Sequence, residues 1–256
     1  MRGIAIPPEL QAGRRQRPYF RVAGLDAPEA KYVAWVDIMG TDSIMRRSIP
    51  ITANYLGKLH VSALEAWQQL RHPDRMTLYP VIDGVYVVTD SHQDLMAHLT
   101  HMLKSLALEF ILTDDPLHHF MARGCIAFGP VWEGSALSET SFALRDNPDY
   151  TRNILLGPAV TQAHEGESAA APYGVWVHET ARAFGPAARH LSCTHWEWWH
   201  RQGDDESVAV ARNLWLHLHA YLNWCTANSS RILYPEDRIE RHRTIAGQYF
   251  AEFSET

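Results

Sequence analysis

The chain has 256 residues, 46% hydrophobic and 20% charged, with a formal net charge of -6. That length supports a substantial core without disulfide or metal staples, and the negative balance excludes a duplex-binding face, which needs a dense basic field. No run approaches the ~18 consecutive apolar residues of a membrane span. Cys125, Cys193 and Cys225 are widely separated and form no CxxC pair, which speaks against a disulfide framework or a cysteine-rich zinc site. A reducing cytosol is the expected location.

Residues 1–30, rich in Pro, Gly and Arg, predict an arm with little structure of its own. YVAWVD, residues 32–37, predicts a buried strand that ends on a carboxylate. A polar link then leads to a helix around VSALEAWQQLR that stops near Pro73. MTLYPVIDGVYVVTD predicts two strands joined at Asp83-Gly84, a dipeptide favoured in tight hairpins. Ser91 and Asp94 can cap a long helix through LMAHLTHMLKSLALEFIL, whose apolar residues recur every three or four positions.

HHFMARGCIAFGPVWEG is the next predicted strand, followed by a polar loop over 135–151. RNILLGPAVTQAHEGESAA predicts a short strand running into a helix, and YGVWVHETARAF another strand and helix. The β–α–β–β–α–β order predicts an α+β, ferredoxin-like sheet layered with helices. The predicted division is an arm (1–30), a core domain (31–188) and a helical C-terminal extension (189–256), which contains VAVARNLWLHLHAYLNWC and RIERHRTIAGQYFAEF.

Asp37 closes the first core strand and Asp83 sits in the next hairpin. If those strands are neighbours, the two carboxylates share a corner and repel unless protonated or bridged by a cation. Hard oxygen ligands favour Mg²⁺ or Mn²⁺, and Mg²⁺ usually binds few protein carboxylates together with substrate phosphates. A strand-ending Asp and an Asp-Gly hairpin are, taken singly, also ordinary turn residues.

The motifs VDIMG, VIDGVYVV, ARGCIAFGPVWEG and NILLGPAVTQAHE, in that order, resemble the class III nucleotide cyclase domain over about residues 31–186. The resemblance implies two metal ions, Mn²⁺ or Mg²⁺, on Asp37 and Asp83, with the Ile38 carbonyl as a further ligand. It makes Ile38, Met39, Gly40, Thr41 and Asp42 a phosphate cradle of backbone N–H groups. Arg123 matches the triphosphate-binding arginine, a role that suits a planar guanidinium. Class III sites form between two subunits, so a homodimer is implied.

The chain departs from the family pattern at several positions. Thr161 and Glu165 stand where the family carries an Asn and a transition-state Arg, and a glutamate cannot stabilise developing negative charge. Arg46, Arg47 and Arg152 are the candidates to replace that arginine. Tyr79 and Ile154 occupy base-reading positions and cannot reproduce adenine contacts. In this respect the chain resembles the pyrimidine cyclases of Pycsar antiphage defence, which implies UTP or CTP as substrate and a cyclic UMP or cyclic CMP messenger. Tyr79, Tyr19 and Phe20 are candidates to contact the base. The alternative is a degenerate cyclase domain that binds a nucleotide or protein partner without catalysis. A GGDEF-type cyclase is a poorer match, because VIDGV lacks that hairpin signature.

Fifteen histidines invite a zinc hypothesis, but neither His98/His101 nor His217/His219 has a partner at zinc-site spacing. The cluster His190, Cys193, His195 and His200 matches no familiar pattern, and HWEWWH predicts packing or an interface. No GxSxG or Walker A motif is present.

Overall fold

The computed structural model describes residues 26–138, 142–186, 191, 193–200 and 204–254. Tyr19, Phe20 and His190, named above, lie outside them.

Strand β1 (Glu29–Ile38) buries every residue from Tyr32 to Val36. A strand buried at consecutive positions must be covered on both faces. Tyr32, Ala34, Val36 and Ile38 belong to the helix-covered core. On the opposite side the Trp35 ring packs on Tyr86 and His164, with centroids 4.3 and 5.6 Å away.

The segment after Asp37, predicted as a polar link, is helical: α1 (Thr41–Arg47) and then α2 (Ile49–Gln68). Ser48 separates them, and its hydroxyl caps α2 by accepting the Ile51 N–H at 3.4 Å. Gly57 and the polar residues around it hide the buried positions Thr52, Tyr55 and Leu59, so the sequence pattern shows only the second half of α2.

Strands β2 (Met76–Val81) and β3 (Gly84–Thr89) form the predicted hairpin, but its two loop residues are Ile82 and Asp83. Gly84 is already in β3, where it pairs with Asp37. A Cβ on Gly84 would lie 2.2 Å from the Trp35 indole. The glycine therefore serves indole packing rather than the turn, which moves the turn one residue earlier. Ile82 takes φ 32°, an uncommon conformation for a β-branched residue, and its side chain is exposed.

Ser91 caps α3 (His92–Ile111) by accepting the Asp94 N–H at 3.2 Å, as predicted. Leu95, Leu99, Met102, Leu103, Leu106 and Phe110 give α3 one buried face, which packs on α2. Strand β4 (Ala122–Glu133) follows. The span 135–151 is not a plain loop: α4 (Gly134–Ser138), α5 (Phe142–Arg145) and α6 (Pro148–Thr151) occupy it. These turns close through side-chain bonds that hydropathy patterning does not show, such as the Thr151 hydroxyl donating to the Leu144 carbonyl at 2.6 Å.

Next come β5 (Leu155–Leu156), α7 (Pro158–Gly166), β6 (Val175–Val177) and α8 (Glu179–Phe184), close to the predicted order. His195 and Trp196 form β7, while Trp198 and Trp199 are wholly buried; this Trp-rich stretch is packing. The C-terminal helices are α9 (Asp205–Ala227), α10 (Ser229–Ile232) and α11 (Glu236–Tyr249). Helix α9 buries Val210, Ala211, Leu214, Leu218 and Leu222 at helical spacing, and it packs on α3. Each such leucine contributes about 1.5–3 kcal/mol through burial.

The sheet order is β2-β3-β1-β4-β6-β7, with β5 paired to β4. Its first four strands have the α+β, ferredoxin-like arrangement that the element order predicts. The chain divides into two compact units. The larger comprises Ala30–Val131 and Gly157–Thr256, and the smaller includes Trp132–Leu156. No helix among the described residues is long and apolar enough to cross a membrane.

Candidate active site

The end of β1 positions the central carboxylate. Asp37 pairs with Gly84 across the β1–β3 ladder, and the next residue, Ile38, donates its N–H to the Asp83 carbonyl at 3.1 Å. Asp83 is thereby held beside the strand end that carries Asp37. Burial pushes the Asp37 carboxyl up to about 8; the charges of Asp83 and Glu167 add to that rise, and Arg123 opposes it. Asp37 Oδ1 is buried and accepts no hydrogen bond. A buried carboxylate oxygen without a partner is costly unless protonated or given a cation.

That orphan oxygen, with Asp83 nearby, fits a divalent cation. Among the described residues no three His, Cys, Asp or Glu side chains gather into a cage that could hold a metal ion. Two carboxylates with a backbone oxygen would suit an ion shared with phosphate groups rather than a closed protein cage.

The turn after Asp37 depends on Gly40, at φ 77°, a left-handed conformation that favours glycine. Thr41 is buried and donates its hydroxyl to the Ile38 carbonyl at 3.0 Å. A carbonyl oxygen has two lone pairs, so this bond leaves room for one further contact. Asp42 is exposed and ion-paired with Arg46 at 3.1 Å, one helical turn on. Of the predicted cradle, the Ile38 and Met39 N–H groups are already bonded, to the carbonyls of Asp83 and Met121. Any anion here meets the amides from Gly40 onward instead.

Arg123 lies on β4 and is ion-paired with Glu167, which is 8% exposed. Sequence reasoning missed Glu167. Its only signal is that a strand arginine amid core residues needs a counterion, and a separation of 44 residues hides which acid supplies it. Thr161 and Glu165 lie on α7 with exposed side chains. Tyr79 is 5% exposed in β2, opposite Tyr86.

Asp37, Met39, Gly40 and Arg123 line one cavity of about 320 Å³. Ile38, Thr41, Asp42, Asp83 and Tyr79 are outside its lining. Of the three arginines named as substitutes, Arg47 lines the cavity, Arg46 is paired with Asp42, and Arg152, in the smaller unit, is paired with Asp149 at 3.4 Å. Part of the lining, including Ile232, Tyr234, Arg238, Arg241 and His242, comes from the C-terminal segment and had no signal in the motif pattern. Of the histidines weighed for zinc, His98 is a core group: it is fully buried, bonds the Ala63 carbonyl at 3.0 Å and is held down to about 4 by burial, whereas His217 and His219 are exposed.

No family model and no curated protein matches the chain. Solved structures similar to it include the monomeric guanylyl cyclase domain of the RhoGC fusion protein from the aquatic fungus Blastocladiella emersonii. It is 16% identical, with a TM-score of 0.44 over 62% of this chain and 86% of that one. Another is the catalytic core of a rhodopsin-guanylyl cyclase with converted specificity in complex with ATPalphaS, at 17% identity and a TM-score of 0.42 over 60% of this chain and 80% of that one.

Proposed function

We propose that the protein is a metal-dependent pyrimidine nucleotide cyclase. It would convert UTP or CTP to the 3′,5′-cyclic monophosphate and pyrophosphate, as a homodimer that supplies a second messenger in bacterial antiphage defence. The observation that carries the catalytic part is the corner made by Asp37 and Asp83, with its unpartnered buried carboxylate oxygen. The pyrimidine and defence assignments rest on the motif resemblance and on Tyr79 and Ile154.

In this reading Asp37 and Asp83, with the Ile38 carbonyl, would hold Mn²⁺ or Mg²⁺. Bound there, such ions supply charge neutralisation and make the ribose 3′-hydroxyl more acidic. The chain's own contribution is positioning. Gly40 turns the backbone so that the following amides face an anion, and Arg123 exchanges Glu167 for a phosphate oxygen. The 3′-oxygen then forms a bond to the α-phosphorus as the bond to the pyrophosphate oxygen breaks, and the hydroxyl proton leaves to water. Alignment of these groups lowers the barrier without covalent participation by the protein.

The Arg123–Glu167 pair and the residues Thr161 and Glu165 favour a second reading, a domain that binds nucleotide without catalysis. One assay separates the two. The purified protein is incubated with each of the four ribonucleoside triphosphates and Mn²⁺, and cyclic products are sought by mass spectrometry. The cyclase reading predicts cyclic UMP or cyclic CMP as the main product. Absence of product from all four triphosphates leaves the binding reading.

A further inference from the structure

The cavity that Asp37 lines is strongly basic. Arg47 reaches it from α1, and Arg238 and Arg241 reach it from α11. Arg123 completes four guanidinium groups around one concavity, against a single lining carboxylate, Asp37. Arg123 has Glu167, whereas none of Arg47, Arg238 and Arg241 forms an ion pair among the described residues. The Arg47 Nε is buried and has no hydrogen-bond partner.

Two arginines three residues apart on an exposed helix face are ordinary by themselves. Here they line the same cavity as His242, which is buried and takes a hydrogen bond with the Tyr234 hydroxyl at Nδ1. Burial first, and then the charges of Arg123, Arg238 and Arg241, together hold His242 down to about 4. Three guanidinium groups thus act on one neutral ring, and the four lining arginines outnumber the acids that face them, Asp37 in the lining and Glu167 on Arg123, which leaves a net positive potential in the concavity. A cavity near 320 Å³ falls at the small end of the range that accepts small-molecule ligands. Its lining is not apolar enough for a lipid and too basic for a cationic guest.

We propose that Arg238 and Arg241, together with Arg47, bind the polyphosphate of the nucleotide, so that the C-terminal helix supplies in the same chain the cations that α7 lacks. The inference deepens the cyclase reading and takes its ligand class from it. Planar guanidinium groups match phosphate oxygens in pairs of hydrogen bonds, which lysine does not reproduce. Helix α11 would then be part of the active site rather than an appendage.

The test uses inorganic tripolyphosphate with EDTA, so that no metal contributes, and follows binding by calorimetry at constant salt. The full chain is compared with the double variant Arg238→Gln/Arg241→Gln, with Arg238→Lys/Arg241→Lys, and with Arg75→Gln, whose arginine is paired with Asp90 instead. Both α11 arginines are exposed, so these variants keep the fold, which a melting curve verifies. The expected result is a loss of about tenfold or more in the glutamine pair, a partial loss in the lysine pair and no change in Arg75→Gln. Equal affinity in the full chain and the glutamine pair overturns the inference, and so does a full chain that does not bind tripolyphosphate at all. Arginine-dependent binding in a protein that cyclises no triphosphate sustains the inference and removes the cyclase reading.

Discussion

Asp37→Asn is expected to abolish cyclic nucleotide formation, by about 100-fold or more, while making the protein harder to melt at pH 8 in EDTA. The loss follows from removing a carboxylate that would hold the cation against the triphosphate. The gain follows from proton linkage. Burial, with the charges of Asp83 and Glu167, raises the Asp37 carboxyl from 3.8 to about 8 in the folded chain. The folded state therefore binds this proton more tightly than the unfolded chain does. The stability it contributes is complete below pH 4 and is lost as pH rises through about 8. Asparagine mimics the neutral carboxyl and escapes that loss. The difference from the natural chain should open between pH 4 and pH 8 and reach at least ~1 kcal/mol, or about 2–4 °C in Tm. An asparagine variant that melts lower than the natural chain at pH 8 would show that Asp37 is held ionised by partners in the folded state.

Glu167→Gln carries the second large effect, with the opposite sign on stability. The Arg123 and Glu167 side chains are 17% and 10% exposed, so each loses most of its water on folding. Removing the acid leaves a guanidinium without its counterion, at a cost on the order of 3 kcal/mol. The same change removes one of the charges that raise the Asp37 carboxyl, which should fall from about 8. It also releases Arg123 for phosphate. The variant is predicted to melt several degrees lower and yet bind triphosphate more tightly. Adding Arg123→Met should recover much of the stability and lose the binding gain, because the unpaired charge is gone. Unchanged melting in Glu167→Gln would mean that the pair contributes nothing net.

The backbone frame was legible because its signals are local. Tyr32 to Val36 form a continuous apolar run, Ser91 stands three residues before Asp94 at a helix start, and β2 and β3 have matched lengths around one turn. These patterns also put Asp37 at a strand end and Asp83 in a hairpin turn, and the β1–β3 ladder then brings the two together. What the sequence concealed depends on contacts between distant segments. Gly84 resembles a turn glycine until the Trp35 indole is seen to occupy the space of its Cβ. Thr41 reads as an ordinary polar turn residue, yet it is buried and its hydroxyl bonds the Ile38 carbonyl. Glu167 and Arg123 are 44 residues apart, and no spacing rule joins them. Arg238 and Arg241 look like solvated charges on an amphipathic helix until α11 is seen to line the same cavity as Asp37.

The central claim is that Asp37 and Asp83 hold a divalent cation together with a triphosphate. Its most direct measurement is the binding of 3′-deoxyuridine or 3′-deoxycytidine triphosphate, which cannot cyclise, with and without Mn²⁺. In the natural chain Mn²⁺ should tighten binding of one of the two by at least about tenfold, and Asp37→Asn or Asp83→Asn should each abolish that gain while the melting curves confirm folded protein. An equal Mn²⁺-dependent gain in the natural chain and both variants would place the cation elsewhere and contradict the account.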